Sequence, residues 1–410
     1  MGQRRVHRIR WRGLAVLLAA LSMAAACTQA ADNSSQGGSP GKLKASSSPS
    51  TGHGKKATPS PSPKPPNPAN PNAFFTPRKL KPGQKPPQFV VLSFDGVGWD
   101  QKWAFWHNIA KKVPLRFTGF LSGLYLIDEA HKDIYKGPGH LRGHSSLGTF
   151  NTQAEVLQEI KDLNYAWSVG DEIGTHFLGH FCSDNPPGGN DWSTADWNNE
   201  LDQFFGIVRH YKTDDQLPSA PTLKVPLDTI RGERTPCLEG HPEALYPALR
   251  AHNFSYDSSF TRRGLYWPVK QDGIWEMGMP EFPLAGTNHF QITMDYNFWY
   301  TQEQVSQTVT PAKSAQDAKQ VTQTYTNMYN AAFQGNRAPL ILGNHFEAWN
   351  NNAYTNALAA FALKTCGKPD TYCVPFRDVV RWMELQSPAT LANLQALPPE
   401  LGPPAKKAVG

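Results

Sequence analysis

Acidic residues are almost missing from the start of this chain: residues 1–87 hold one, Asp32, against fourteen Lys or Arg. The rest carries 26 Lys or Arg against 33 Asp or Glu, a net charge of −7, so the formal +6 of all 410 residues belongs to the leading segment. A net acidic folded part argues against a nucleic-acid footprint, which needs a basic face. Long apolar runs are missing too. The Ala-rich run at residues 14–26 is shorter than the roughly 20 residues that span a bilayer. Preceded by Arg4, Arg5, Arg8, Arg10 and Arg12, it has the layout of a secretory signal peptide over residues 1–26. Core-forming residues then stay scarce up to residue 87, where Ser, Pro, Gly, Lys and Asn dominate. Such a segment cannot bury enough apolar surface to offset its ordering entropy, so residues 27–87 read as a disordered tether. Its positive charge suits an anionic membrane or wall polymer.

Cysteine is also scarce, with five in the chain. Ala24-Ala25-Ala26-Cys27 resembles a bacterial lipobox, although Ala24 stands where Leu is usual. On that reading Cys27 is a lipid anchor, and the secreted protein sits on the outer face of the cell membrane. Ordinary cleavage after Ala26 or Ala30 is the alternative. Assigning Cys27 to lipid leaves four cysteines, an even number suited to an oxidising compartment.

From residue 88 aromatics and aliphatics return and strand-like runs alternate with helix-like ones. Strands are expected at 89–94, 116–122, 171–175, near 229–231 and at 339–342. Helices are expected at 99–111, 153–163, 194–211, 243–252, 353–363 and 376–384, that at 153–163 from 3.6-residue apolar spacing. Long loops are expected at 182–193, 212–228 and 261–338, and a flexible tail at 391–410. The alternation predicts one α/β barrel-like domain over residues 88–390.

Four segments carry candidate chemistry. The apolar strand ending Ser93-Phe94-Asp95-Gly96 delivers one carboxylate to a strand terminus. In Gly-Thr-His176-Phe-Leu-Gly-His180, a helix beginning near His176 would put both imidazoles on one face, a common way to hold zinc. Arg231-Gly-Glu-Arg234-Thr-Pro-Cys237 offers a guanidinium able to orient a carboxylate and lower its pKa, or else a surface charge cluster. A further strand ends at His345, suited to a general acid or base. Asp257, before Ser258 and Ser259, reads alone as a turn or cap residue.

In this order, Ser93-Phe94-Asp95-Gly96, His176-x-x-x-His180, Arg234-Thr235-Pro236, Asp257-Ser258 and Leu342-x-x-His345 resemble the five motifs of the polysaccharide deacetylases, the NodB-like carbohydrate esterases. The resemblance implies a distorted (β/α) barrel of about seven repeats with long loop insertions. It implies a divalent metal, zinc in the first instance, on Asp95, His176 and His180, which polarises an acetyl carbonyl and activates water. Asp95 would act as base, Arg234 would orient it, His345 would protonate the leaving group, and Asp257 would support them. The substrate would be an acetylated polysaccharide such as peptidoglycan, a chitin-like glycan or an acetylated xylan.

The chain departs from the pattern at its first motif. Two adjacent aspartates are usual there, one as base and one on the metal; Gly96 stands in the second place. Asp95 could bind metal while another acid serves as base, Asp100 could swing in, or the metal could rest on two histidines and water. Asp295 is the acid of the long insertion best placed to substitute. The alternative is a catalytically silent glycan-binding or wall-scaffolding protein; hydrolysis of another acyl or amide bond is a third reading. On the barrel reading Cys182 and Cys237 lie on neighbouring rim loops and pair, leaving Cys366 with Cys373. The aromatics of 261–338 pack that insertion onto the barrel, or some of them line a glycan groove.

Overall fold

A computed structural model describes residues 74–148 and 150–402. The expected signal peptide at 1–26 and the anchor Cys27 lie outside the described residues. A run of alternating elements comes first: β1 (Gln88–Asp95), α1 (Asp100–Ala110), β2 (Thr118–Leu121), α2 (Gln153–Val169), β3 (Glu172–Thr175), α3 (Thr194–Asp214), β4 (Gly232–Glu233), α4 (Pro242–Ala251) and β5 (Tyr256–Asp257). An insertion follows with β6 (Thr261–Arg263), β7 (Val269–Gln271), β8 (Ile274–Glu276), β9 (Met279–Pro283), β10 (Phe290–Ile292), α5 (Asp295–Glu303) and α6 (Pro311–Gln334). The chain closes with β11 (Leu340–His345), α7 (Trp349–Thr365), β12 (Thr371–Cys373), α8 (Phe376–Leu385) and α9 (Pro388–Gln395).

Local chemistry accounts for these boundaries. Every residue of β1 is buried, the pattern of a strand covered on both faces of a parallel sheet. Capping boxes open α2 at Thr152–Glu155 and α3 at Ser193–Asp196, and α2 ends on Gly170 in the left-handed region. Nine strands form one curled half-barrel in the order β11-β1-β2-β3-β4-β5-β8-β7, with β12 also paired to β1, while β10, β9 and β6 form a separate three-stranded sheet. All neighbours in that path are parallel except β7 with β8. This is an α/β, distorted (β/α) barrel architecture, as expected from the sequence. Close strand packing depends on Gly232, where a Cβ would fall 1.7 Å from Cζ of Tyr256.

Register decides where the chemistry lies. Asp95 pairs with His345 on one side and Phe120 on the other; Leu121 pairs with Thr175, Thr175 with Glu233, and Glu233 with Asp257. One row across the C-terminal edge of the sheet therefore carries Asp95 and His345, the next row carries Thr175, Glu233 and Asp257, and His176 and Arg234 follow one residue beyond their strands. This is the edge at which parallel α/β sheets place ligands.

Several expectations need correction. The stretch 261–338 is not a loop: it holds five strands and two helices. In α6 the residues Val321, Tyr325, Met328, Tyr329 and Ala332 form a buried stripe. The strand expected near 229–231 falls at Gly232–Glu233, because Leu227–Thr229 forms a 3-10 turn. The tether shortens at its C-terminal end, since Phe75 is buried against Phe89 and Tyr372. The tail shortens as well: α9 includes residues 391–395, and Glu400 pairs with Leu265. Residues 403–410 lie outside the described residues.

Candidate active site

Period-two alternation along β1 sends Ser93 and Asp95 to the same face. There they meet Arg234, whose side chain is fully buried. Its Nη1 donates to Asp95 Oδ1 at 2.7 Å, its Nη2 to the hydroxyls of Ser93 and Ser258 at 2.9 Å, and its Nε to the Ser258 carbonyl at 3.2 Å. The guanidinium also lies over the Phe120 ring at 4.7 Å. Burial alone would raise the Asp95 pKa, but Arg234, with His176 and His345, holds it below the ordinary value. Asp95 is thus a fixed carboxylate that stays ionised.

Opposite it, His345 makes two bonds to one carboxylate. Its Nδ1 lies 2.7 Å from Asp295 Oδ1, and its backbone N–H donates to Asp295 Oδ2 at 2.7 Å. Burial favours neutral imidazole, but the charge and hydrogen bond of Asp295 outweigh it and raise the His345 pKa. Asp295, the acid singled out in the insertion, is therefore the partner of His345. Trp349 adds an aromatic wall, 4.9 Å from the His345 ring.

The two histidines meet differently from the expected helix. Residues 176–180 form a loop in which Phe177 and His180 have φ of 58° and 54°. Its amides are captured by side chains: Phe177 N–H donates to Thr175 Oγ1, and those of Leu178 and Gly179 donate to Glu200 Oε1. With Phe177 and His180 in the left-handed region, the segment does not continue as an α-helix. Glu200 was not singled out in the sequence. Its signal was its place beside Trp197, Leu201 and Phe204 on the buried stripe of α3. Burial pushes its pKa up to about 7, against the lowering effect of the two amides and Tyr135.

His176 Nδ1 lies 2.8 Å from the Arg234 carbonyl, which only accepts, so this nitrogen carries the proton and Nε2 keeps its lone pair. Burial lowers the pKa of His176, and lowers that of His180 to about 3 with help from its histidine neighbours. The rings stand 5.2 Å apart. Two neutral imidazoles side by side suit a divalent cation. Asp95 was the expected third ligand. Among the described residues, Asp128–His131–Asp215 and His180–Cys182–Cys237 each have three candidate donor atoms within 4.8 Å of one another, the second with both cysteines in a disulfide, and Asp95 belongs to neither. Its Oδ1 is held by Arg234 instead. At Gly96, with φ of +60°, a Cβ would meet the Tyr125 hydroxyl at 3.3 Å, so Tyr125 crowds the place of a second carboxylate.

Asp257 lies apart from this centre. It accepts from the Tyr246 hydroxyl at 3.0 Å and the Ser259 amide at 2.7 Å, while the Ser259 hydroxyl accepts from Thr235 N–H at 2.8 Å. Its neighbour Glu233 is pushed well up by burial and by the Asp257 charge. The pair braces the Arg234–Thr235 turn rather than reaching the reacting centre. Asp100 begins α1, where Oδ1 accepts from Gln158. Both expected disulfides, Cys182–Cys237 and Cys366–Cys373, are present. The first ties the histidine loop to the segment after Arg234, with Cys182 Sγ 3.8 Å from His180 Nδ1.

No protein-family model and no curated protein matches the chain. Solved structures do. A protein from Mycobacterium smegmatis described as a polysaccharide deacetylase aligns with a TM-score of 0.43 and 13% identity, over 80% of this chain and 99% of that one. A carbohydrate esterase family 4 pseudoenzyme from Bacillus anthracis aligns at 0.38 and 10% identity, over 76% and 71%. A family 4 carbohydrate esterase from Streptomyces lividans, in complex with acetate, aligns at 0.35 and 10% identity, over 70% and 91%. What the chain resembles, at this distance, is a polysaccharide deacetylase and family 4 carbohydrate esterases.

Proposed function

We propose that the protein hydrolyses acetyl groups from an extracellular polysaccharide. One observation carries this reading: Asp95 and His345, paired on adjacent strands, are each held by a buried partner, Arg234 favouring the carboxylate anion and Asp295 favouring the protonated imidazole. Asp95 takes a proton from water as the water oxygen bonds to the acetyl carbonyl carbon. Arg234 keeps that carboxylate in place. As the C–N or C–O bond breaks, His345 gives its Nε2 proton to the departing sugar nitrogen or oxygen, and acetate is released. Asp295 orients the imidazole and supports its positive charge. A divalent cation, zinc in the first instance, would be held by His176 and His180 and would polarise the acetyl carbonyl. Asp95 is the base here and not a ligand.

Acetate release from chitooligosaccharide, peptidoglycan and acetylated xylan, by wild type and Asp95→Asn, tests this and names the glycan. The second reading, a glycan-binding protein without hydrolysis, is favoured by Gly96 and the Tyr125 hydroxyl crowding it. It predicts glycan retention with no acetate released. The Ala-Ala-Ala-Cys27 segment and the even set of remaining cysteines support anchorage of the secreted protein on the outer face of the cell membrane. On that reading Cys27→Ser moves the protein from the membrane fraction to the medium; unchanged membrane association contradicts it.

A further inference from the structure

On the barrel flank a second group of donors has no part in this chemistry. Asp128 follows the 3-10 turn after β2, His131 lies three residues on, and Asp215 caps the C-terminus of α3. One donor atom from each lies within 4.8 Å of the other two. Asp128 is 2% exposed and Asp215 fully buried. Asp128 Oδ1 sits 2.7 Å from His131 Nδ1 and accepts from His131 N–H at 2.9 Å. Both Asp215 oxygens face the Asp128 amide at 3.2 Å.

Three features of this cluster call for positive charge. Asp128 Oδ2 is buried and has no hydrogen-bond partner, an arrangement that costs the full desolvation of that oxygen unless something binds it. Two buried carboxylates stand together, and among the described residues the one ion pair that either makes is with His131. Asp215 also ends a 21-residue helix, where the macrodipole is negative and a carboxylate is disfavoured. Burial, together with the neighbouring Asp128 charge, pushes the Asp215 pKa up to about 6 despite the Asp128 amide.

We propose that Asp128, His131 and Asp215 form a divalent cation site, separate from the His176–His180 pair, that ties the end of α3 to the segment after β2. Two carboxylate oxygens and one imidazole nitrogen, completed by water, match the donor preferences of zinc or manganese. His131 is the partly exposed member, with 21% of its side chain accessible, so the ion has an entry side. A structural ion at this place stabilises the fold by an amount that grows with the logarithm of its free concentration above Kd. The Asp128 segment adjoins residues 150–152 through the Asp128–Asn151 bridge, so the ion would fix the entry of α2 as well.

The test uses the full chain, stripped with a chelator and titrated separately with Zn2+ and Mn2+. Bound metal per chain and the thermal midpoint are read for wild type, Asp215→Asn and His176→Ala. The proposal expects Asp215→Asn to bind one molar equivalent fewer than wild type and His176→Ala to keep that equivalent. It also expects added metal to raise the midpoint of His176→Ala. Should Asp215→Asn not fold, His131→Gln at the exposed edge is expected to show the same loss. Equal metal in wild type and these variants overturns the proposal. So does a His176→Ala midpoint that metal leaves unchanged, which would mean a shared proton, not an ion, between the two carboxylates.

Discussion

Asp95 and His345 lie side by side in register, yet their surroundings drive their protonation apart. Arg234 keeps the first an anion, and Asp295 keeps the second a cation. The His345 pKa is raised above its ordinary value, so the proton is retained through 6.5 and lost only at higher pH. Asp295→Asn removes both the charge and its share of the raise, leaving burial to lower the pKa. The expected result is a descending limb of the acetate-release pH profile moved to lower pH, with kcat at pH 7 reduced on the order of 10²-fold or more. An unmoved limb contradicts the pairing. At this scale the sequence was legible wherever a polar residue ended an apolar strand, as at Asp95 and His345. It was less legible where partners came from far along the chain. Asp295 could be singled out but not paired, because 50 residues, with helix α6 among them, separate it from His345. Asp257 was expected in a supporting role, but only packing reveals that its oxygens serve Tyr246 and Ser259.

Among elements, the histidine loop owes its shape to outside groups. The i, i+4 spacing of His176 and His180 is equally compatible with a helix, and local pattern could not decide between them. What decided was Glu200 on α3 reaching the loop amides, together with the Cys182–Cys237 bridge. The bridge spans 55 residues, and closing such a loop restricts the unfolded chain enough to stabilise by about 4 kcal/mol. Cys182→Ser with Cys237→Ser is therefore expected to lower the denaturation free energy by roughly that amount and to weaken metal retention by the histidines. Chemical denaturation checks the first part; a midpoint equal to wild type contradicts it. The insertion shows the opposite failure. Tyr325, Met328 and Tyr329 already had helical spacing, but the Ser, Gln, Thr and Asn elsewhere in α6 made it read as loop.

At the scale of the molecule, the domain reaches further in both directions than its motifs. Phe75 sits 5.5 Å from the Phe89 ring and 5.0 Å from that of Tyr372, and Leu80 N–H donates to Gln386. Such short stretches within a Pro- and Lys-rich segment carry no periodicity, so their docking could not be read from pattern. Phe75→Ala is expected to cost about 3 kcal/mol of stability by denaturant titration; no change contradicts the docking. The curled sheet itself was legible, because alternating strand and helix runs leave few architectures open. Its consequence is the one edge on which Asp95, His176, Arg234 and His345 converge. The most direct test of that convergence is acetate released from an acetylated glycan by zinc-loaded wild type and by folded Asp95→Asn. The account predicts release by wild type and a loss on the order of 10²-fold or more in the variant. Equal release by both, or none by wild type from chitooligosaccharide, peptidoglycan or acetylated xylan, contradicts it.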